Sequence, residues 1–119
     1  MSVSLYYGAH RATPLNESES TVVARVVTER TASFPYDDEE SLYLHDRAAA
    51  EPREVVAGST KMPVDPDRVV PVIVHVLDSV TELRRAVPDA EWHVHLDDLD
   101  VPWDEVDGYA LPGMRDAGL

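Results

Sequence analysis

The chain has 119 residues, of which 44% are hydrophobic, so one domain can bury a core without disulfide or metal cross-links. Its 23 acidic and 10 basic residues give a formal net charge of −13, which argues against binding to nucleic acids or anionic membranes. The sequence contains no cysteine, and this excludes disulfides, thiolate nucleophiles and cysteine-ligated metals.

The N-terminal sequence MSVSLYYGAHRATP has no basic segment followed by a long apolar one, so we expect no signal peptide. The longest apolar stretch, residues 69–77, is much shorter than the roughly 20 residues that span a bilayer. We therefore expect a cytoplasmic protein with a single α+β domain over residues 1–112 and a flexible tail over residues 113–119.

The first predicted elements are a strand over residues 2–8 and a helix over residues 17–31. In the strand, apolar and polar side chains alternate with the period of two that a half-buried strand requires. Asn16 and Glu19 have the spacing of a capping box at the start of the helix. The apolar stripe of that helix comprises Val22, Val23 and Val26.

Two short strands are predicted next, over residues 41–46 (SLYLHD) and from Glu54 to Gly58, and we expect them to form a hairpin. Leu42 and Leu44 alternate with polar positions and are expected to face the core.

The second helix begins after Asp65, whose side chain can cap free amides, with Pro66 at the first helical position. Pro88 ends it. We expect this helix to be the most buried element, because its apolar positions recur every three or four residues. They are Val69, Ile73, Val76, Val80, Leu83 and Val87. His75 lies off this stripe and is interpreted as a solvated residue.

A last strand is predicted in EWHVHLDD, residues 91–98. Trp92, Val94 and Leu96 share one face of it, and Glu91, His93, His95 and Asp97 share the other. The resulting order, β-α-β-β-α-β, predicts a ferredoxin-like α+β sandwich: an antiparallel sheet with two helices on one face and strand order 4-1-3-2.

In that fold the sheet face opposite the helices is the most informative surface. Its candidate ligand or interface residues are Tyr6, Tyr43, His45, His93 and His95. A face so rich in aromatic rings and histidines favours ligand binding or self-association. The alternative is that these side chains are ordinary half-exposed strand residues.

His93 and His95 point the same way and could chelate a metal, with Asp97, Tyr6 or His10 as a third ligand. His45 is a poorer ligand, because three strand spacings place it roughly 14 Å away. The spacing alone does not define a convergent ligand set. We therefore expect neither a functional metal site nor a cofactor.

Two acidic loops could steer a basic partner towards the protein. Their residues are Asp37, Asp38, Glu39, Glu40, Asp97, Asp98 and Asp100. The alternative interpretation is that the acidity serves solubility or adaptation to salt.

Catalysis by a nucleophile has no support in the sequence, which lacks a G-x-S-x-G elbow as well as cysteine. We expect a non-catalytic protein-interaction module, for example of the immunity or antitoxin type, whose partner is a basic protein. Two alternatives stay open: a small-molecule- or metal-binding protein or enzyme that uses the open sheet face, and a structural homodimer. Neither nucleic acid nor a membrane is expected as a partner.

Overall fold

The structure is a computed structural model that describes residues 3–44, 53–106 and 108–109. Its elements are β1 (Ser4–His10), α1 (Glu17–Ala32), β2 (Glu54–Lys61), α2 (Pro66–Ala86), β3 (Glu91–Leu96), β4 (Leu99–Asp100), β5 (Trp103–Asp104) and β6 (Gly108–Tyr109). His45 and the predicted tail, residues 113–119, lie outside the described residues.

Strand β1 lies between β2 and β3 in a four-stranded antiparallel sheet of order β2-β1-β3-β4. Neighbouring side chains of β1 go to opposite faces, as the alternation predicts. Leu5 and Tyr7 are 0% and 2% exposed, whereas Tyr6 is 40% exposed. The alternating pattern of the first strand is therefore confirmed.

Both helices pack on the face of the sheet that carries Leu5, Tyr7 and Val94, and together they form one hydrophobic core. Helix α2 contributes more buried residues to it than any other element, and Val76 is fully buried, as predicted. The predicted caps are also present: Asp65 accepts a hydrogen bond at the start of α2, and the Asn16 capping box starts α1. Within the described chain, neither helix has the length and hydropathy that a membrane span requires.

Arg11 ties together the end of β1, the start of α1 and the turn before β3. Its guanidinium donates to both carboxylate oxygens of Glu19 at 2.8 and 2.9 Å and to Asp89 at 2.7 Å. The hydrogen bonds from Arg11 lower the pKa of Glu19 to about 2. These contacts fix the end of the sheet at which His10 and Glu91 lie opposite each other.

The predicted second strand is not formed in the described part of residues 41–46: only Leu44 makes an isolated bridge, to Gly58. Instead, the buried Tyr7 hydroxyl accepts a hydrogen bond from the Tyr43 N–H at 2.9 Å and lies 3.0 Å from the Tyr43 carbonyl oxygen. This segment is thus held to the core by a side chain rather than by a strand ladder. The Tyr43 oxygen approaches Gly58 so closely that a Cβ there would collide with it.

The fold is α+β, with a four-stranded antiparallel sheet and two helices, but the ferredoxin-like βαββαβ order is not shown. The strand that begins at Glu54 runs to Lys61 instead of ending at Gly58. The fourth strand of the sheet is the short β4, which pairs with β3. The sequence offered little signal for a strand of two residues.

His75 is not the solvated residue that the sequence suggested. Its ring packs edge-on against Phe34, with centroids 5.2 Å apart, and its Nε2 lies 3.2 Å from the Ser33 hydroxyl. Burial, followed by the charge of Arg30, lowers the pKa of His75. The segment after α1 folds over this part of α2, which helical periodicity could not reveal.

Val76→Asp should lower the free energy of unfolding by about 3 kcal/mol or more, because it places a carboxyl group in the core without a partner. The matched control is Val70→Asp, since Val70 lies on the same helix and is 38% exposed. Urea denaturation measures both variants. Equal losses of stability in the two variants would contradict the arrangement of α2.

Tyr7→Phe should cost about 1–3 kcal/mol of stability, because the Tyr43 N–H loses its hydroxyl partner in a part-buried position. Tyr6→Phe, one residue earlier on the exposed face, is the control and should be nearly neutral. Thermal and urea unfolding followed by circular dichroism compare them. A neutral Tyr7→Phe would show that the hydroxyl does not hold the segment.

Candidate functional site

Four rings stand side by side on the sheet face opposite the helices, and we call them the ring row: Tyr6, His95, His93 and His10. Tyr6 stacks on His95 with centroids 5.1 Å apart, and His10 stacks on His93 at the same distance. His93 and His95 are 6.4 Å apart. Strand β1 supplies the two end rings, Tyr6 and His10, and β3 supplies the two central imidazoles. Tyr6 lies opposite His95 in the register.

Gly8 makes room for the centre of the ring row. It is the cross-strand partner of His93, and a Cβ at Gly8 would lie 2.9 Å from the His93 Nε2 atom. A larger residue would push the imidazole away from the sheet. The absence of a side chain at this position therefore allows His93 to lie close to its neighbours.

His95 is held by the turn that follows it. Its Nδ1 lies 2.7 Å from the carbonyl oxygen of Asp97, which can only accept, so Nδ1 carries the proton. Asp97 belongs to this turn, with a φ of 49°, and is not a strand residue as predicted. In the neutral imidazole, Nε2 of His95 is then a hydrogen-bond acceptor.

The surroundings of His93 favour its neutral form. Burial is the largest cause that lowers its pKa, followed by the positive charges that His10 and His95 can acquire. Glu54 and Glu91 act in the opposite direction. A carboxylate oxygen of Glu54 also lies 3.8 Å from the Nε2 atom of His10, so the His10 end of the ring row has a carboxylate beside it.

The rings of the row stack on one another rather than converge on one point. Stacked imidazoles present their faces to one another, whereas metal ligands must direct their nitrogen lone pairs at a common point. Among the residues that the structure describes, no group of three histidine or acidic side chains could hold a metal ion.

The two predicted acidic loops differ in whether their carboxylates form ion pairs within the described chain. Arg68 binds Asp38 and Glu39 at 2.8 and 3.2 Å, and its hydrogen bonds lower the pKa of Asp38. The carboxylate of Glu40 lies 3.3 Å from the backbone N–H of Lys61. Much of the loop at residues 37–40 is therefore paired within the chain.

The second acidic loop is exposed and faces the ring row. Asp97, Asp98 and Asp100 are exposed, and none of them takes part in an ion pair with a described residue. The Asp97 carboxylate accepts a hydrogen bond from the Ser4 N–H at 3.3 Å. Asp100 is the cross-strand partner of His95, which places it on the open face. These three carboxylates form the acidic rim of the face.

The predicted face residues are thus only partly brought together. Tyr6, His93 and His95 meet in the ring row, whereas Tyr43 belongs to the segment on the outer side of β2. His10 was expected only as a possible third metal ligand and not as an interface residue, because the first strand was predicted to end at Gly8. Extending the same alternation to residue 10 would have found it.

A groove of about 960 Å³ lies elsewhere, between α1 and residues 40–44. Aliphatic side chains such as Val23, Val27 and Leu42 form most of its walls, and Glu40 is the only charged residue in its described lining. The described lining also includes the uncharged polar residues Ser20, Thr28, Thr31, Ser41 and Tyr43, but no histidine. The open face, with its titratable rings and acidic rim, is the stronger candidate.

His93 should titrate below about 6.5, the ordinary pKa of histidine, and His10→Gln should raise its pKa by removing a neighbouring charge. Because the folded-state pKa is the lower one, His93 should also reduce stability as the pH falls through about 6.5. NMR titration of the imidazole C–H protons measures the pKa. His75→Gln is the remote control, and an ordinary His93 pKa that His10→Gln leaves unchanged would contradict the stacking.

The residues of the candidate site are therefore the ring row, Gly8 and the acidic rim, all defined by the geometry of β1, β3 and the turn after β3. Comparison of the chain with protein-family models, with curated proteins and with solved structures gave no match.

Proposed function

We propose that the protein is a non-catalytic interaction module that binds a basic protein partner through the open sheet face. One observation carries this proposal: a row of four contacting rings lies directly beside three exposed carboxylates without ion-pair partners among the described residues. The rings supply area for contact, and the carboxylates select the sign of the partner's charge.

The arrangement resembles the usual division of a protein interface into a centre and a rim. Aromatic rings are enriched at interface centres, and charged side chains are favoured at the rim. Tyr6 is 40% exposed, so its ring and hydroxyl are accessible to a partner. The Nε2 atom of neutral His95 can accept a hydrogen bond from an arginine or lysine side chain.

The net charge of the chain also favours a basic partner. A net charge of −13 attracts basic proteins over distances of about a Debye length and speeds their encounter. The contacts between the rings favour binding, because neighbouring rings offer a continuous contact surface to a partner. A cytoplasmic immunity or antitoxin protein that masks a basic toxin is one role of this kind.

A hexa-arginine peptide labelled with a fluorophore provides a defined basic probe, and anisotropy at low salt measures its affinity. Asp97→Asn/Asp98→Asn/Asp100→Asn should weaken binding about three- to tenfold, because it removes the acidic rim. Glu17→Gln/Glu29→Gln/Asp37→Asn is the matched control: it removes the same charge from exposed positions away from the open face and should have a smaller effect. Equal weakening by both triple variants would indicate general electrostatic attraction and contradict the proposal.

Sedimentation velocity of the free protein separates the proposal from its main alternative. A basic partner predicts that the wild-type chain is a monomer at neutral pH, since two copies would bring their acidic rims together. A dimer that Tyr6→Ala dissociates would show instead that a second copy occupies the open face. A small-molecule site on the same face would leave the peptide affinity unchanged by the rim variant.

A further inference from the structure

The ring row places three titratable imidazoles in a line, with neighbouring centroids 5.1 Å and 6.4 Å apart. Each imidazole that takes up a proton gains a positive charge, and at such spacings like charges repel one another. The charge of this surface therefore depends on pH in the range where histidines titrate, near about pH 6.5.

Protonation also reverses the hydrogen-bonding role of His95. Its Nδ1–H already donates to the Asp97 carbonyl oxygen, so the next proton must bind at Nε2. This nitrogen then changes from an acceptor into a donor. A lysine or arginine of a partner, which can only donate, loses its acceptor and meets a positive charge instead.

From this geometry we infer that acidification releases the basic partner from the open face, through protonation of His10, His93 and His95. The inference rests on the proposed function and adds its regulation. Binding is strong where the imidazoles are neutral and weakens as the pH falls through the range in which they become charged.

Carboxylates around the ring row attract the protonated imidazoles and so offset part of the repulsion between those imidazoles. The carboxylates that face it are Glu54 from β2, Glu91 from β3, Asp97 from the turn and Asp100 from β4. Lys61 of β2 lies opposite Ser4 at the far end of β1 and adds a fixed positive charge. Ordinary carboxylic acids titrate near about pH 4, so between about pH 7.5 and 5.5 the histidines dominate the change in charge.

The position of His93 makes its protonation costly and couples it to binding. Its side chain is exposed, but the partial desolvation of its ring and its position between His10 and His95 both lower its pKa. A cationic partner at the same face would disfavour the proton further. By linkage, a proton that lowers the partner's affinity is itself bound less tightly in the complex.

The test measures hexa-arginine affinity by anisotropy at constant ionic strength, at about pH 7.5 and about pH 5.5. The wild-type affinity should fall by about threefold or more at the lower pH, because each proton that the ring row takes up opposes a cationic partner. His10→Gln/His93→Gln/His95→Gln should retain its affinity within about twofold across the same interval. Circular dichroism at both pH values verifies that each variant is folded.

Two further variants test whether the pH dependence comes from the histidines of the open face. His75→Gln is the matched control, because His75 lies on α2 away from the open face, and it should show the full wild-type loss of affinity. His95→Gln alone should show a smaller loss than the wild type. It keeps the inference testable if the triple variant does not fold.

The possible failures are distinguishable. If the wild-type protein does not bind the peptide at about pH 7.5, the proposed function is wrong, and the inference fails with it. If it binds equally at both pH values, the inference alone is wrong. It is also wrong if the triple variant loses affinity as the wild type does, because other groups would then sense the proton.

Discussion

The pairing of β1 with strands on both of its edges is the constraint on which the rest of the structure depends. Because β2 and β3 fix its register, Tyr7 points into the core and Tyr6 points out of it. A slip of one residue would exchange the two faces and bury the polar side. Two adjacent tyrosines therefore have different roles: one organises the interior, and the other belongs to the candidate binding surface.

Tyr7 connects the core to the irregular segment that follows α1. Its hydroxyl bonds the main chain of Tyr43 and lies 2.9 Å from the hydroxyl of Thr60, which donates to the Ser41 carbonyl oxygen. They act beside one backbone hydrogen bond to β2, from the Ser59 N–H to the Tyr43 carbonyl oxygen at 3.2 Å. A buried polar network has thus taken the place of part of a strand ladder, and Gly58 permits the close approach.

The open face combines stacked tyrosine and histidine rings with exposed carboxylates. Its centre consists of rings whose charge depends on pH, while the rim at β4 carries carboxylates. The acidic loop at residues 37–40 differs, because Arg68 pairs two of its carboxylates internally. Equal acidity in the sequence therefore corresponds to two environments: one loop forms ion pairs with Arg68, and the other forms no ion pair with a described residue.

The sequence by itself determined the elements whose signals are local: the capping box at Asn16, the start of α2 at Asp65, its buried stripe and the alternation along β1 and β3. These depend on helical or strand periods and on backbone hydrogen bonds near in sequence. The tertiary structure alone decided that His10 stacks on His93 beside Gly8, that Arg68 pairs with two carboxylates of one acidic loop, and that Tyr7 holds Tyr43 in place of a strand. Each of these contacts joins residues far apart in the chain, and no local period records which distant partner a side chain will meet.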